Sequence, residues 1–450
     1  MNINPDIFKA YDIRGKFPVE LNEDIAERIG NAAAQFLSKL LHKKSITFYI
    51  GSDVRVSSPK LKNALIRGII LQGSNVIDVG VGTTPYFYYL MHAHNPEAGV
   101  MVTASHNPPE YNGFKIRRQG GRAVAEGTGI EKIKKLVLDE KVYKATVMGK
   151  ILPAKNYINE YVRFLAKGFK LNPINTVIDT SGGSVGLVLP ILLTRYPKVN
   201  YKPLFFEPDG TFGTHLPNPL DPRSQQFIKK ELEKGGFQFG VIFDGDGDRI
   251  VFFDERGNAV RPEFIAALFA EEELKKNPGS TFVFPVNASK GVQEYIKEHG
   301  GKIKLSRIGY VFIQEAMIRN KAVTGFELSG HFYFRKFFFD DSALMAWLKF
   351  TEILSKAKKP LSELVKPFER YVNSGEVNFP VENKQAVLNT VRKNYRKAKF
   401  SLLDGITAEF PDWWFNIRPS NTEPILRLVL EAKNQALFDE KLKEMRGLIK

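Results

Sequence analysis

Cysteine is absent from the 450 residues, which excludes structural disulfides and cysteine-ligated zinc and fits a reducing compartment. Long apolar runs are absent too. The most apolar stretch, Val185 to Leu193, contains Pro190 and falls far short of the roughly 20 residues a membrane helix needs. The opening, Met1 to Asp6, has no apolar core of the kind a secretory signal carries. A soluble, cytoplasmic protein with no membrane partner is expected. Acidic residues are in deficit, 49 against 65 lysines and arginines, for a net charge of +16. Such an excess can draw nucleic acid or anionic small molecules. No dense basic tract with interleaved aromatics is present, so a lysine-rich solvated surface is the commoner explanation and nucleic acid is not expected as a partner. The 43% hydrophobic and 25% charged composition is that of an ordinary globular chain, long enough for about three or four domains.

Strand and helix patterns alternate from the start. Leu21 to Leu41 has helical periodicity with Asn22 as N-cap, Ile46–Ile50 reads as a strand, Lys60 to Leu71 as a helix, and Asn75 to Val79 as a strand. That pitch indicates an α/β sheet with crossover helices. Gly99 to Val102 is a further short buried strand, followed by Thr103-Ala104-Ser105-His106-Asn107-Pro108-Pro109. Asn-Pro-Pro continues neither a helix nor a central strand, so Ser105 sits at a strand end on a stiff loop, beside His106 and near Lys115. Such a hydroxyl could carry a phosphoryl group; an ordinary polar loop reads the same way.

Two other stretches carry chemistry. Gly182 to Gly186 fits the G-x-S-x-G nucleophile elbow between a strand and an apolar run, which makes a serine hydrolase using Ser184 the rival from another reaction class. Its triad would also need an acid and a histidine. Further on, Asp244-Gly245-Asp246-Gly247-Asp248-Arg249 lies between the strand-like runs Phe237 to Phe243 and Ile250 to Phe253. Three carboxylates spaced by glycines can converge on one hard cation. An EF-hand is disfavoured, because Arg249 stands where its glycine belongs and both flanks are strand-like.

The wording of five stretches resembles the α-D-phosphohexomutase superfamily, of the phosphomannomutase/phosphoglucomutase type. They are Tyr11-Asp12-Ile13-Arg14-Gly15, the Ser105 loop through Lys115, the aspartate hexapeptide, Gly325-Phe326-Glu327-Leu328-Ser329-Gly330-His331, and Arg418-Pro419-Ser420-Asn421-Thr422. They span Phe8 to Arg427 in the family's order, essentially the whole chain.

The resemblance implies three related mixed α/β domains plus a smaller C-terminal α+β domain around a central cleft. The expected bounds are 1–152, 153–256, 257–369 and 370–450. It implies interconversion of a hexose 1-phosphate and its 6-phosphate, with mannose or glucose as the sugar, through a phosphoserine and a 1,6-bisphosphate intermediate. A phosphoglucosamine mutase is the alternative, although Asn421 stands where such enzymes usually place glycine. Ser105 would be the phosphorylated residue, with Asp244, Asp246, Asp248 and Ser105 holding Mg²⁺. Arg14, Lys115 and Arg249 would neutralise phosphoryl oxygens, His106 would orient Ser105, and Lys115 or His331 would move the proton. Tyr11, Glu327, Ser329, Arg418, Ser420, Asn421, Thr422 and Arg427 would bind substrate. The phosphosugar is the expected partner, a hexose 1,6-bisphosphate the activator, and the chain a monomer or weak homodimer. Two residues depart from the pattern: Phe326, expected to narrow the sugar pocket, and Tyr310, where related enzymes tend to have histidine.

Overall fold

The structure is a computed structural model that describes residues 3–139, 142–420 and 425–449. The chain divides into two units, Met1–Ala259 with Asp340–Lys358, and Val260–Phe339 with Lys359–Lys450.

In the first unit, the first sheet runs in the order Ile13–Lys16, Tyr111–Arg118, Ala98–Val102, Thr47–Ser52, Asn75–Val81, Ile151–Leu152. Thr47–Ser52 pairs parallel with both neighbours, whereas Tyr111–Arg118 runs antiparallel to Ala98–Val102. Helix Glu23–Leu40 begins where predicted, because the Asn22 side chain accepts from the Ile25 amide. It packs on Ser58–Leu71 so closely that a Cβ on Gly68 would strike the Glu27 carbonyl at 1.8 Å. Beneath them lies a core of Ile29, Leu37, Phe48, Ile50, Leu65 and Phe114, all fully buried.

The second sheet orders Ile250–Phe253, Phe239–Phe243, Ile174–Asp179 and Val199–Leu204, the first pair antiparallel and the rest parallel. Strands flank the aspartate hexapeptide on both sides, as expected. The apolar run after Ser184 is the helix Val185–Leu193, with Pro190 inside it. Helix Ala343–Lys356 also belongs to this unit: Phe350 lies 5.2 Å from Phe239 and 4.4 Å from Phe252, ring to ring. That segment fell within the stretch 257–369 expected to form the third domain.

The second unit holds a sheet in the order Lys302–Ser306, Thr281–Pro285, Thr324–Phe326, Phe332–Phe334, parallel except for the last pair. Its other sheet is antiparallel and centres on Trp413–Pro419 paired with Ile425–Ala432. Helix Gln435–Ile449 packs Phe438, Met445 and Ile449 onto it. Glu431, fully buried, joins the two sheets by accepting from the Lys290 amide, Trp414 Nε1 and Asn373 Nδ2 at 2.8–2.9 Å. Among the described residues no helix is long and apolar enough to cross a membrane.

Candidate active site

In open α/β sheets ligands gather beyond the carboxyl ends of the strands, where crossovers leave loops exposed to a common crevice. The loops after Ala98–Val102, Asn75–Val81 and Phe239–Phe243 meet there in the first unit. They bring Ser105, Thr84 and the aspartates together across up to 162 residues of sequence.

Ser105 is 1% exposed and has φ +51, a left-handed backbone that a non-glycine residue seldom adopts. Its Oγ donates to Asp244 Oδ2 at 2.8 Å and lies 3.5 Å from Asp248 Oδ1. His106 Nδ1 is 3.4 Å from the same oxygen. Asp244, Asp246 and Asp248 are buried, with ligand oxygens all within 4.8 Å of one another. Asp246 Oδ2 accepts from Thr84 Oγ1 (2.6 Å), Thr103 Oγ1 (3.2 Å) and Lys115 Nζ (3.2 Å), and its buried Oδ1 has no partner. Burial, with Asp248 and Asp246 adding repulsion, pushes the Asp244 carboxyl well above the usual carboxylate range. Three buried carboxylates with an unfilled oxygen are a donor set for a hard cation, so these residues fit Mg²⁺.

Cations face the trio. Lys115 Nζ also bonds Asp248 Oδ2 at 2.5 Å. Burial alone would lower the Lys115 pKa, yet Asp246 and Asp248 outweigh it and hold the ammonium well above its ordinary value. Arg249 Nε lies 4.0 Å from Asp244 Oδ2 and 3.9 Å from Asp248 Oδ1, with no hydrogen-bond acceptor of its own. Arg14 is tethered to Asn107 Oδ1 and Asp12 Oδ2, both at 2.5 Å, and to the Ala104 carbonyl at 3.3 Å. Tyr11, three residues earlier in the chain, is half-buried.

In the second unit the residues 327–331 link the strands Thr324–Phe326 and Phe332–Phe334. Glu327 accepts from the Gly309 amide at 2.9 Å and from Tyr333 Oη at 2.6 Å, while Ser329 Oγ is 2.8 Å from His331 Nδ1. Phe326, which departs from the family pattern, has a fully buried ring, edge to face on Phe284 at 4.7 Å. Tyr310 opens the helix Tyr310–Asn320, directly after Gly309. Arg418 Nη2 and Arg427 Nη1 both donate to Glu376, at 3.0 and 3.1 Å. The Ser420 amide bonds the Ile425 carbonyl at 2.9 Å, and Asn421 and Thr422 lie outside the described residues.

Family models for phosphoglucomutase/phosphomannomutase, alpha/beta/alpha domains I, II and III, match residues 5–144, 155–257 and 261–371, and the C-terminal domain model matches 376–448. The chain belongs to the phosphoglucomutase/phosphomannomutase family. It is 36% identical to a Vibrio cholerae phosphomannomutase over 98% of each chain, and 35% identical to a Xanthomonas campestris protein named phosphohexose mutases over 98% of this chain and 99% of that one. A solved phosphoglucomutase/phosphomannomutase family protein from Burkholderia thailandensis superposes with a TM-score of 0.90 at 28% identity, over 99% of this chain and 97% of that one. The four-domain architecture is that of the family.

At the Ser184 elbow, the described residues show no base hydrogen-bonded to the hydroxyl, as a hydrolase triad would need. Ser184 has ordinary helical angles (φ −65, ψ −18), and its buried Oγ has no partner. His215, the histidine nearest in kind to a triad base, turns Nδ1 to the Leu216 carbonyl (2.8 Å) and Nε2 to Asp179 (3.3 Å). Sequence reasoning missed Thr84, Thr103 and Asp341. Asp341 is a buried carboxylate raised well above its usual range by burial, then by Asp248 and Asp340, against Lys115 and Arg117. Each of them follows a strand or opens a returning segment, a positional signal that residue type alone does not display.

Proposed function

We propose that this chain interconverts hexose 1-phosphates and 6-phosphates, with mannose or glucose as the sugar, and that Ser105 carries the phosphoryl group between them. The observation that carries this reading is the Ser105 hydroxyl, sealed from water and donating to Asp244 inside a carboxylate trio with an unfilled oxygen. The names of the related enzymes support the sugar.

The physical problem is charge: a phosphoserine near −2 must meet a second dianion. Mg²⁺, held by Asp244, Asp246, Asp248 and an oxygen on Ser105, would stabilise charge on the transferring group. Arg14, Lys115 and Arg249 supply fixed positive charge around the same group, and His106 orients the Ser105 side chain. In the forward step the Oγ–P bond of phospho-Ser105 breaks and a bond forms to the free hydroxyl of the sugar monophosphate. The proton of that hydroxyl passes to a side chain, Lys115 or His331, and the departing Ser105 Oγ takes up a proton to become a hydroxyl again. Lys115 is held protonated by Asp246 and Asp248, so it begins as a neutralising cation and accepts a proton only after giving up its own. The 1,6-bisphosphate then turns over and returns its other phosphate to Ser105, which explains why a hexose 1,6-bisphosphate would act as activator. Tyr11, Glu327 and Ser329 bind sugar hydroxyls, while Arg418, Ser420, Asn421, Thr422 and Arg427 hold the phosphate that is not reacting. Our reading places the enzyme in the cytoplasm, the lack of cysteine being its support, and takes it to act as a monomer or weak homodimer.

The test is a steady-state assay on mannose, glucose and glucosamine 1-phosphates with catalytic 1,6-bisphosphate, coupled to peptide mapping of the resting enzyme. Turnover of mannose or glucose 1-phosphate and one phosphate on Ser105 are expected. Inactivity on all three sugars, or label on Ser184, would overturn it.

A further inference from the structure

Arg55 follows the strand Thr47–Ser52 by three residues and is 1% exposed, an unusual depth for a guanidinium. All five of its N–H donors are used. Nη2 donates to the carbonyls of Ser105 (2.8 Å) and Asn107 (2.6 Å), and Nη1 to those of Pro108 (2.7 Å) and Tyr111 (3.0 Å). Nε donates to Asp53 Oδ2 at 3.2 Å. Asp53 is itself fixed by the Arg55 amide (3.0 Å) and by Ser58 Oγ (2.6 Å). The ring of Phe212 covers the guanidinium at 5.1 Å. One cation thus gathers four carbonyls of a single loop, the loop that presents Ser105.

We propose that Arg55 is a positioning residue for phosphoryl transfer, holding the Ser105 loop in the left-handed conformation that aims Oγ at Asp244. The inference rests on the reading of Ser105 as the phosphoryl carrier. Arg55 makes no contact with Oγ and acts wholly through the backbone. Ser105 at φ +51 is strained and persists only where its surroundings over-determine it. The prolines stiffen the loop after Asn107, while Ser105 lies before them, so its carbonyl needs a tie of its own. The fork also turns four carbonyl dipoles onto a cation, away from a phosphoryl group that would repel them. A lysine keeps the charge but offers three donors from one point, too few and wrongly shaped to span these acceptors.

Arg55→Lys tests this in the full chain. Expected is a fall in kcat of about 100-fold per folded molecule with KM for the hexose 1-phosphate within about threefold, the cost of a misplaced reacting group. Amide exchange across residues 103–112 should rise in the substrate-free protein while the remaining peptides exchange as before. A lowered melting temperature with kcat per folded molecule unchanged would overturn the proposal, as would an unaltered exchange rate in that loop. Should Arg55→Lys fail to fold, Phe212→Leu uncovers the guanidinium to water and reads the same two quantities in smaller measure, with the same outcomes deciding. Failure of the functional reading itself is separable: it would leave the wild-type chain without mutase activity, yet the exchange measurement needs no substrate.

Discussion

Asp246 carries a buried carboxylate oxygen with nothing to accept, and such an atom costs folding free energy that only a cation or proton can recover. An amide at that position removes like charge from the trio. Asp246→Asn should therefore fold with an unchanged or higher denaturation midpoint in chelator, while turnover in saturating Mg²⁺ falls by roughly 100-fold or more, several kcal/mol of transition-state stabilisation. Parallel urea titrations and steady-state assays decide it; a lower midpoint in chelator would contradict the repulsion argument, and full turnover would remove Asp246 from the metal. The trio was legible in the sequence because its chemistry is local, three aspartates separated only by glycines. Thr84, Thr103 and Asp341 were not, since their roles arise from contacts that only the folded chain makes, as with Thr84 and Asp246. The setting of Phe326 was not legible either: its place in a motif said nothing about which face of the strand its ring would occupy.

At the scale of elements, strongly periodic segments were easiest to read. Asn22 before an apolar stripe fixed the start of Glu23–Leu40. The helix Ala343–Lys356 shows the limit, because no local pattern says that Phe350 will pack on Phe239 and Phe252 of an earlier sheet. Beside that sheet, His215 and Asp179 form a buried pair 3.3 Å apart, with His215 stacked near Phe227. Burial alone would lower the His215 pKa, but the Asp179 carboxylate raises it above its model-peptide value of 6.5; burial raises Asp179 above 3.8. Both groups thus bind protons more tightly folded than unfolded, so their contribution is complete below the unfolded values and is lost as pH rises through the folded ones. For the imidazole that window opens at pH 6.5 and extends upward. Denaturation midpoints of the full chain should fall as pH rises above 6.5, and His215→Gln should flatten that slope. An identical slope in the variant would exclude the pair as its source.

For the whole molecule the excess of 65 basic over 49 acidic residues matters most to an anionic substrate. Long-range attraction of a dianion is screened as the Debye length shrinks from about 10 Å at 0.1 M salt to about 3 Å at 1 M. KM for a hexose phosphate should rise several-fold over that range while kcat changes far less, because the buried cations around Ser105 are little screened. Stopped comparison of the two constants across a sodium chloride series checks it, and a salt-independent KM would mean the net charge is mere surface.

The excursion of the chain out of its first unit at Ala259 and back at Asp340 also orders events in time. During synthesis the sheet bearing the aspartate loop leaves the ribosome about 100 residues before the helix that covers Phe239 and Phe252. At about 5–20 residues per second that apolar face waits roughly 5–20 s for its partner. A nascent chain from which the sheet has emerged without that helix is therefore a sticky object, and one from which both have emerged is not. The half of the molecule made first is finished late, and its dependence on folding helpers should concentrate in that interval.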